Sequence, residues 1–290
     1  MKNQFIIIIR TIALIFACTV FWNIFCIIKI AYAVDQSLSR SNQLASLPIG
    51  FLGGTRTDSQ GRYALIEYFN QIARDDDMIY FTEASLLQDK QKHLEAIAQV
   101  KKGKIIQAFS SLQTAKREID SVKGAIDGIS YDLELWQKSN AEWQDIEGAS
   151  RKMSEIARSN NLLYLGHLGI KLSLGKKKDP LGIEHMAKYT DYYSAAIYPC
   201  LEKYCMDECV ELMRSMVERA KKANPKIKVL VAVSLEKNIP LEQQYEFLRE
   251  CSGFIDGIGI FLYPGRSDSE EKLKRLIKLI RGYEQSASEL

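Results

Sequence analysis

From Leu47 onward the chain alternates two hydrophobic patterns. Short, nearly continuous apolar runs, rich in β-branched and aromatic residues, occur at 47–52, 78–82, 104–110, 126–133, 162–167, 192–198, 227–235 and 255–263. Unbroken apolarity over so few residues predicts parallel strands covered on their outer face. Between them lie stretches of helical spacing. Leu112, Ala115, Ile119 and Val122 share one face, as do Val210, Met213, Val217 and Ala220, and then Leu273, Leu276, Ile277 and Ile280. Asn224-Pro225 ends one predicted helix, while Pro180 and Pro240 stand where helices begin. Eight β-α units over 47–290 predict an α/β fold, a closed (β/α)8 barrel. An open doubly wound sheet fits less well, because neither G-x-G-x-x-G nor a Walker pattern is present. Ile126-Asp127-Gly128-Ile129 in the fourth run recurs as Ile255-Asp256-Gly257-Ile258 in the eighth, which suggests two half-barrels.

The N-terminal 33 residues follow a different pattern. Thr11 to Ile28 is apolar apart from Asn23, and Ala31-Tyr32-Ala33 offers the small residues a signal peptidase reads. A secretory signal cleaved after Ala33 is expected, with an uncleaved membrane anchor as the rival. In either case Lys2 and Arg10 stay cytoplasmic and the body is exported, touching a membrane only through this segment. Residues 34–46 are polar and read as a flexible linker.

The whole chain of 290 residues carries 39 basic and 36 acidic side chains, for a net charge of +3. The segment to Ala33 holds three of the bases and no acid, so the body is neutral. A neutral body has no electrostatic footprint for nucleic acid. Past the N-terminal segment come Cys200, Cys205, Cys209 and Cys251. Their spacing does not match the usual zinc or iron–sulfur patterns, so one disulfide stapling a loop is expected, with the other thiols buried. No His cluster has ligand spacing; no metal and no cofactor is expected, and His93 and His185 read as surface residues of helices.

In a barrel of this kind the reactive groups stand where strands end. Side chains alternate along a strand. With Ile129, Tyr131 and Leu133 turned to the helices, Ser130, Asp132 and Glu134 face the axis. Two neighbouring carboxylates in a partly dry site raise the pKa of one, which then serves as a proton donor. Glu134, the outer, is the expected acid and Asp132 its tuner. Glu83 and His167, at the ends of the second and fifth strands, are further candidates for the mouth. Trp136 and Trp143 follow the fourth strand, where they either stack on sugar rings or pack the loop.

Asp127-Gly128-Ile129-Ser130-Tyr131-Asp132-Leu133-Glu134 resembles the fourth-strand motif D-G-x-D-x-D-x-E of the family-eighteen glycoside hydrolases, chitinase-like barrels. The resemblance covers these eight residues and the barrel topology. It implies a polysaccharide or other glycan as partner, Glu134 as proton donor, and Asp132 as the residue that orients the substrate's N-acetyl group. Asp127 matches the first acid. Ser130 replaces the middle one, so the proton relay of the motif is incomplete here. Tyr198 falls where the family has a Tyr after strand six, and Tyr263 where a Trp closes strand eight. Tyr131-Asp132-Leu133-Glu134-Leu135-Trp136 also resembles a pattern of exported barrel proteins that implies no particular activity.

A second arrangement keeps Glu134 as acid and adds Glu236, at the end of strand seven, as nucleophile. That is the plan of the large retaining-glycosidase clan, which needs the carboxyls about 5–5.5 Å apart. The clan has Asn before its strand-four Glu, where this chain has Leu133. A barrel that binds glycan without cutting it, and a cell-envelope scaffold, are the remaining readings.

Overall fold

All eight apolar runs form strands, because each is covered on both faces. In the computed structural model they are β1 (Ile49–Leu52), β2 (Met78–Phe81), β3 (Lys104–Phe109), β4 (Gly128–Leu133), β5 (Leu163–Leu168), β6 (Tyr192–Ala196), β7 (Lys228–Ser234) and β8 (Gly257–Phe261). Each pairs in parallel with the next, and β1 pairs with β8 to close the barrel. The structure describes residues 35–52, 65–133, 141–169, 180–235, 238–262 and 268–282, together with residues 22 and 29.

The helices follow in chain order: α1 (Ile66–Ile72), α2 (Glu83–Gln88), α3 (Lys90–Ile97), α4 (Leu112–Val122), α5 (Ile146–Ser159), α6 (Gly182–Ala187), α7 (Tyr198–Leu201), α8 (Met206–Ala223), α9 (Leu241–Cys251) and α10 (Ser269–Arg281). Leu112, Ala115, Ile119 and Val122 of α4 are buried, and so are Leu273, Leu276, Ile277 and Ile280 of α10. Ser111 caps α4 by accepting from Thr114 N at 3.1 Å, and Asp145 caps α5 through Gly148 N at 2.9 Å. Asn224 ends α8 and Pro240 is the N-cap of α9.

Strand parity divides the apolar residues into two cores. Ile129, Tyr131 and Leu133 join the large core between sheet and helices. Met78, Tyr80, Ile106, Leu165, Tyr192 and Leu230 belong to the second, which fills the barrel.

The foot of the barrel has its own order. Asp77, Asp127, Asp191 and Asp256 each directly precede an even-numbered strand. Each carboxylate accepts from a backbone N–H at the start of the strand before it, the first residue of β1 and the second of β3, β5 and β7: Ile49 at 2.6 Å, Ile105 at 2.8 Å, Tyr164 at 2.8 Å and Val229 at 2.9 Å. Even-numbered strands then begin with Met78, Gly128, Tyr192 and Gly257, large and absent side chains in turn. The glycines are required by the space. A Cβ at Gly128 would lie 3.0 Å from the Leu163 carbonyl, and one at Gly257 would lie 2.3 Å from Leu230 Cδ2. The Asp-Gly-Ile repeat read from the sequence is thus part of a fourfold clasp. Beneath it, Arg281 of α10 reaches the buried Asp77, with Nη2 at 2.7 and 3.0 Å from the two carboxylate oxygens. Burial pushes the Asp77 carboxyl pKa up, against the pull of Arg74 N–H, the Arg281 charge and Ile49 N–H.

The chain divides into two compact units, Met1–Gln43 and Leu44–Leu290. Residues 35–46 are helical, where a flexible linker was expected. Within the second unit Leu44 is fully buried, and Arg74 Nη1 donates to Ala45 O at 2.9 Å, satisfying a carbonyl at the helix end. Among the described residues no helix is long and apolar enough to cross a membrane. Most of the expected signal or anchor lies outside the described residues.

Candidate active site at the barrel mouth

Strand β4 delivers Asp132 to the barrel interior at its C-terminal end. Its parity partner Ser130 is buried within the barrel. The register sets Asp132 opposite His167 of β5, and His167 opposite Ser194 of β6. Parity with Leu165 and Tyr192 turns His167 and Ser194 inward as well. His167 Nε2 lies 3.9 Å from Asp132 Oδ1, an ion-pair distance rather than a hydrogen bond, with side chains 16% and 39% exposed. Ser194 is buried, and its hydroxyl has no protein hydrogen-bond partner.

Tyr198 opens α7 beyond β6, and its ring stacks on Phe261 with centroids 6.4 Å apart and planes 16° from parallel. Phe261 ends β8 and packs against the inner core. These rings form an aromatic side to the mouth. Below lie the phenols of Tyr80 and Tyr192, and burial pushes the Tyr80 pKa up, so its hydroxyl stays protonated.

Several expected site residues are placed elsewhere. Asp127 is at the foot of β4, where its carboxylate holds Ile105 N–H, so it does not belong to the mouth. Parity joins Glu83 to Ile79 and Phe81, which face the helices. It opens α2, and its carboxylate accepts from Ser110 N, tying the end of β2 to the end of β3. Trp143 packs against the outer core. Glu134, Trp136, Glu236 and Tyr263 lie outside the described residues.

Three features escape a linear reading. Glu142, in a 3-10 turn at Ala141–Gln144, accepts from the Tyr131 hydroxyl and from Leu112 N at 3.1 Å, joining β4 to the start of α4. His93 is fully buried, not on the surface; it bonds Gln107 Oε1 at 2.7 Å and meets the Phe81 ring edge-on. Its partner Gln107 was hidden because a Gln within an apolar run gives no signal of what it faces. The third feature is the Asp132–His167–Ser194 row, which depends on strand register.

Cys200 and Cys209 form the expected single disulfide, fastening α7 to α8. Cys251 is buried, whereas Cys205 is exposed, contrary to expectation, because it caps the solvent end of α8. Among the described residues no three His, Cys, Asp or Glu side chains cluster as metal ligands.

No family model matches the chain, and no curated protein sequence matches it. Solved structures do. A family GH18 chitinase from Pseudoalteromonas aurantia is 12% identical, covers 82% of this chain and 99% of its own, and superposes with a TM-score of 0.52. Triosephosphate isomerase from Bartonella henselae is 12% identical over 81% of this chain and 98% of its own, with a TM-score of 0.48. An active-site mutant of the Rhizomucor miehei β-1,3-glucanosyltransferase, solved with laminaritriose, is 13% identical over 73% and 86%, with a TM-score of 0.49. At such identities the likeness is one of fold alone, a (β/α)8 barrel.

Proposed function

We propose that this protein is an exported, carbohydrate-active barrel that hydrolyses glycosidic bonds, with Glu134 as general acid and Asp132 as its partner. The observation that carries the reading is the inward Asp132 at the C-terminal end of β4. It is the residue that the chitinase-like motif needs beside its acid. The aromatic pair Tyr198–Phe261 supports a sugar as the bound group, since sugar faces stack on rings. The structural likeness to a GH18 chitinase supports a polysaccharide as substrate class. Export is supported by the N-terminal apolar segment and by the Cys200–Cys209 disulfide, a bond of oxidising compartments.

The test is a screen of chitin, other polysaccharides and peptidoglycan with wild type and Glu134→Gln. Hydrolysis by wild type that falls at least about 100-fold in the variant is expected, the scale of a lost general acid. Equal activity in the two removes Glu134 from the mechanism. Glycan binding without cleavage is the second reading, and the uncharged, buried Ser130 in the acid line favours it. Loss of activity in Glu236→Gln with a trapped glycosyl-enzyme would instead favour the retaining arrangement.

A further inference from the structure

We infer that His167 is the positioning residue of the mouth, supplying Asp132 with the countercharge that its own strand lacks. The inference deepens the hydrolase reading and rests on it only for its kinetic consequence.

A carboxylate at the neck of a largely apolar barrel is oriented by a charged partner on a neighbouring strand. On β4 the nearest inward residue is Ser130, which carries no charge. The neighbouring strand supplies a basic side chain. His167 is the register partner of Asp132, on the same face, with Nε2 at 3.9 Å from Oδ1. Adjacent strands hold this spacing rigidly, since β4 and β5 are paired over Gly128–Leu133 and Leu163–Leu168. The imidazole is mostly sheltered, so its attraction to the carboxylate is screened less than at an open surface.

The other titratable groups on the inner faces of the described strands are the phenols of Tyr80 on β2 and Tyr192 on β6, and Lys104 and Lys228 at the feet of β3 and β7. Lys228 lies over the Tyr192 ring, 5.4 Å from its centroid. Asp132 is an acid within ion-pair range of His167. Ser194 continues the row one strand further, with its hydroxyl buried beside the ring's register position. The row thus descends from the mouth into the barrel as acid, base and hydroxyl.

The test is proton NMR titration of the imidazoles in the full chain, which holds three histidines. His167→Gln identifies the His167 resonance by its loss. In wild type the His167 midpoint should lie about one pH unit above that in Asp132→Asn, because a neighbouring carboxylate favours imidazolium. If Asp132→Asn does not fold, Asp132→Ser gives the same comparison. Coincident midpoints would overturn the inference. On a glycan that wild type hydrolyses, His167→Gln should lower kcat about tenfold or more, leave KM within about twofold, and move the acid limb of the kcat–pH profile. An unmoved limb would make His167 merely structural. Should no glycan be hydrolysed, the hydrolase reading fails, while the titration still decides whether the two side chains are coupled.

Discussion

His93 shows how one buried side chain ties stability to pH. Burial lowers its pKa, and the hydrogen bond to Gln107 only partly restores it. The unfolded chain therefore takes up a proton near pH 6.5 that the folded chain resists. Stability should be intact above that pH and fall below it, with a slope of at most about 1.4 kcal/mol per pH unit for one proton. Thermal unfolding followed from pH 8 to 5 should show a shallower loss in His93→Asn than in wild type. Gly128 tests the packing at the foot. Its Cβ space is taken by Ile106, and by the Leu163 backbone, which cannot rotate away. Gly128→Ala should cost about 1–3 kcal/mol in urea denaturation, the range for overpacked cores.

Among the elements, α10 and α7 carry the clearest consequences. Arg281 ends α10 and neutralises Asp77 in a site with almost no solvent. Arg281→Met leaves a buried charge unpaired and should cost about 3–5 kcal/mol. Adding Asp77→Asn should recover part of that loss, and equilibrium unfolding of the single and double variants measures it. Helix α7 is a single turn carrying both Tyr198 and Cys200, so the Cys200–Cys209 bond anchors the aromatic side of the mouth. Cys200→Ser with Cys209→Ser should lower stability by about 2–3 kcal/mol, given a sequence separation of 9. Under the proposed glycan reading, affinity for the glycan should fall with it, as titration calorimetry would show. The strands were legible because unbroken apolar runs have few other uses, and the observed ends differ from the expected ones by no more than two residues. Parity correctly put Ser130 and Asp132 inside. Glu83 shares the parity of Ile79 and Phe81, which face the helices, so its place at the end of β2 does not bring it to the mouth.

At the scale of the molecule, eightfold closure could be read from the count and spacing of apolar runs, and the barrel confirms it. Register could not, since it is fixed by contacts between strands far apart in sequence. That is why the pairing of Asp132 with His167 was not foreseen. The motif reads as one string of acids, whereas the strand carries them to opposite ends: Asp127 works on the backbone at the floor, and Asp132 faces inward near the rim. The aspartates of the floor have a further consequence. Each joins an odd strand to the even strand that follows it, so every such bond is closed within a pair and none links β4 to β5. A chain severed between those two strands would keep all four intact, and the pieces, produced together, should find each other and rebuild the barrel. A break between β3 and β4 would strand Asp127 from Ile105 and should prevent reassembly.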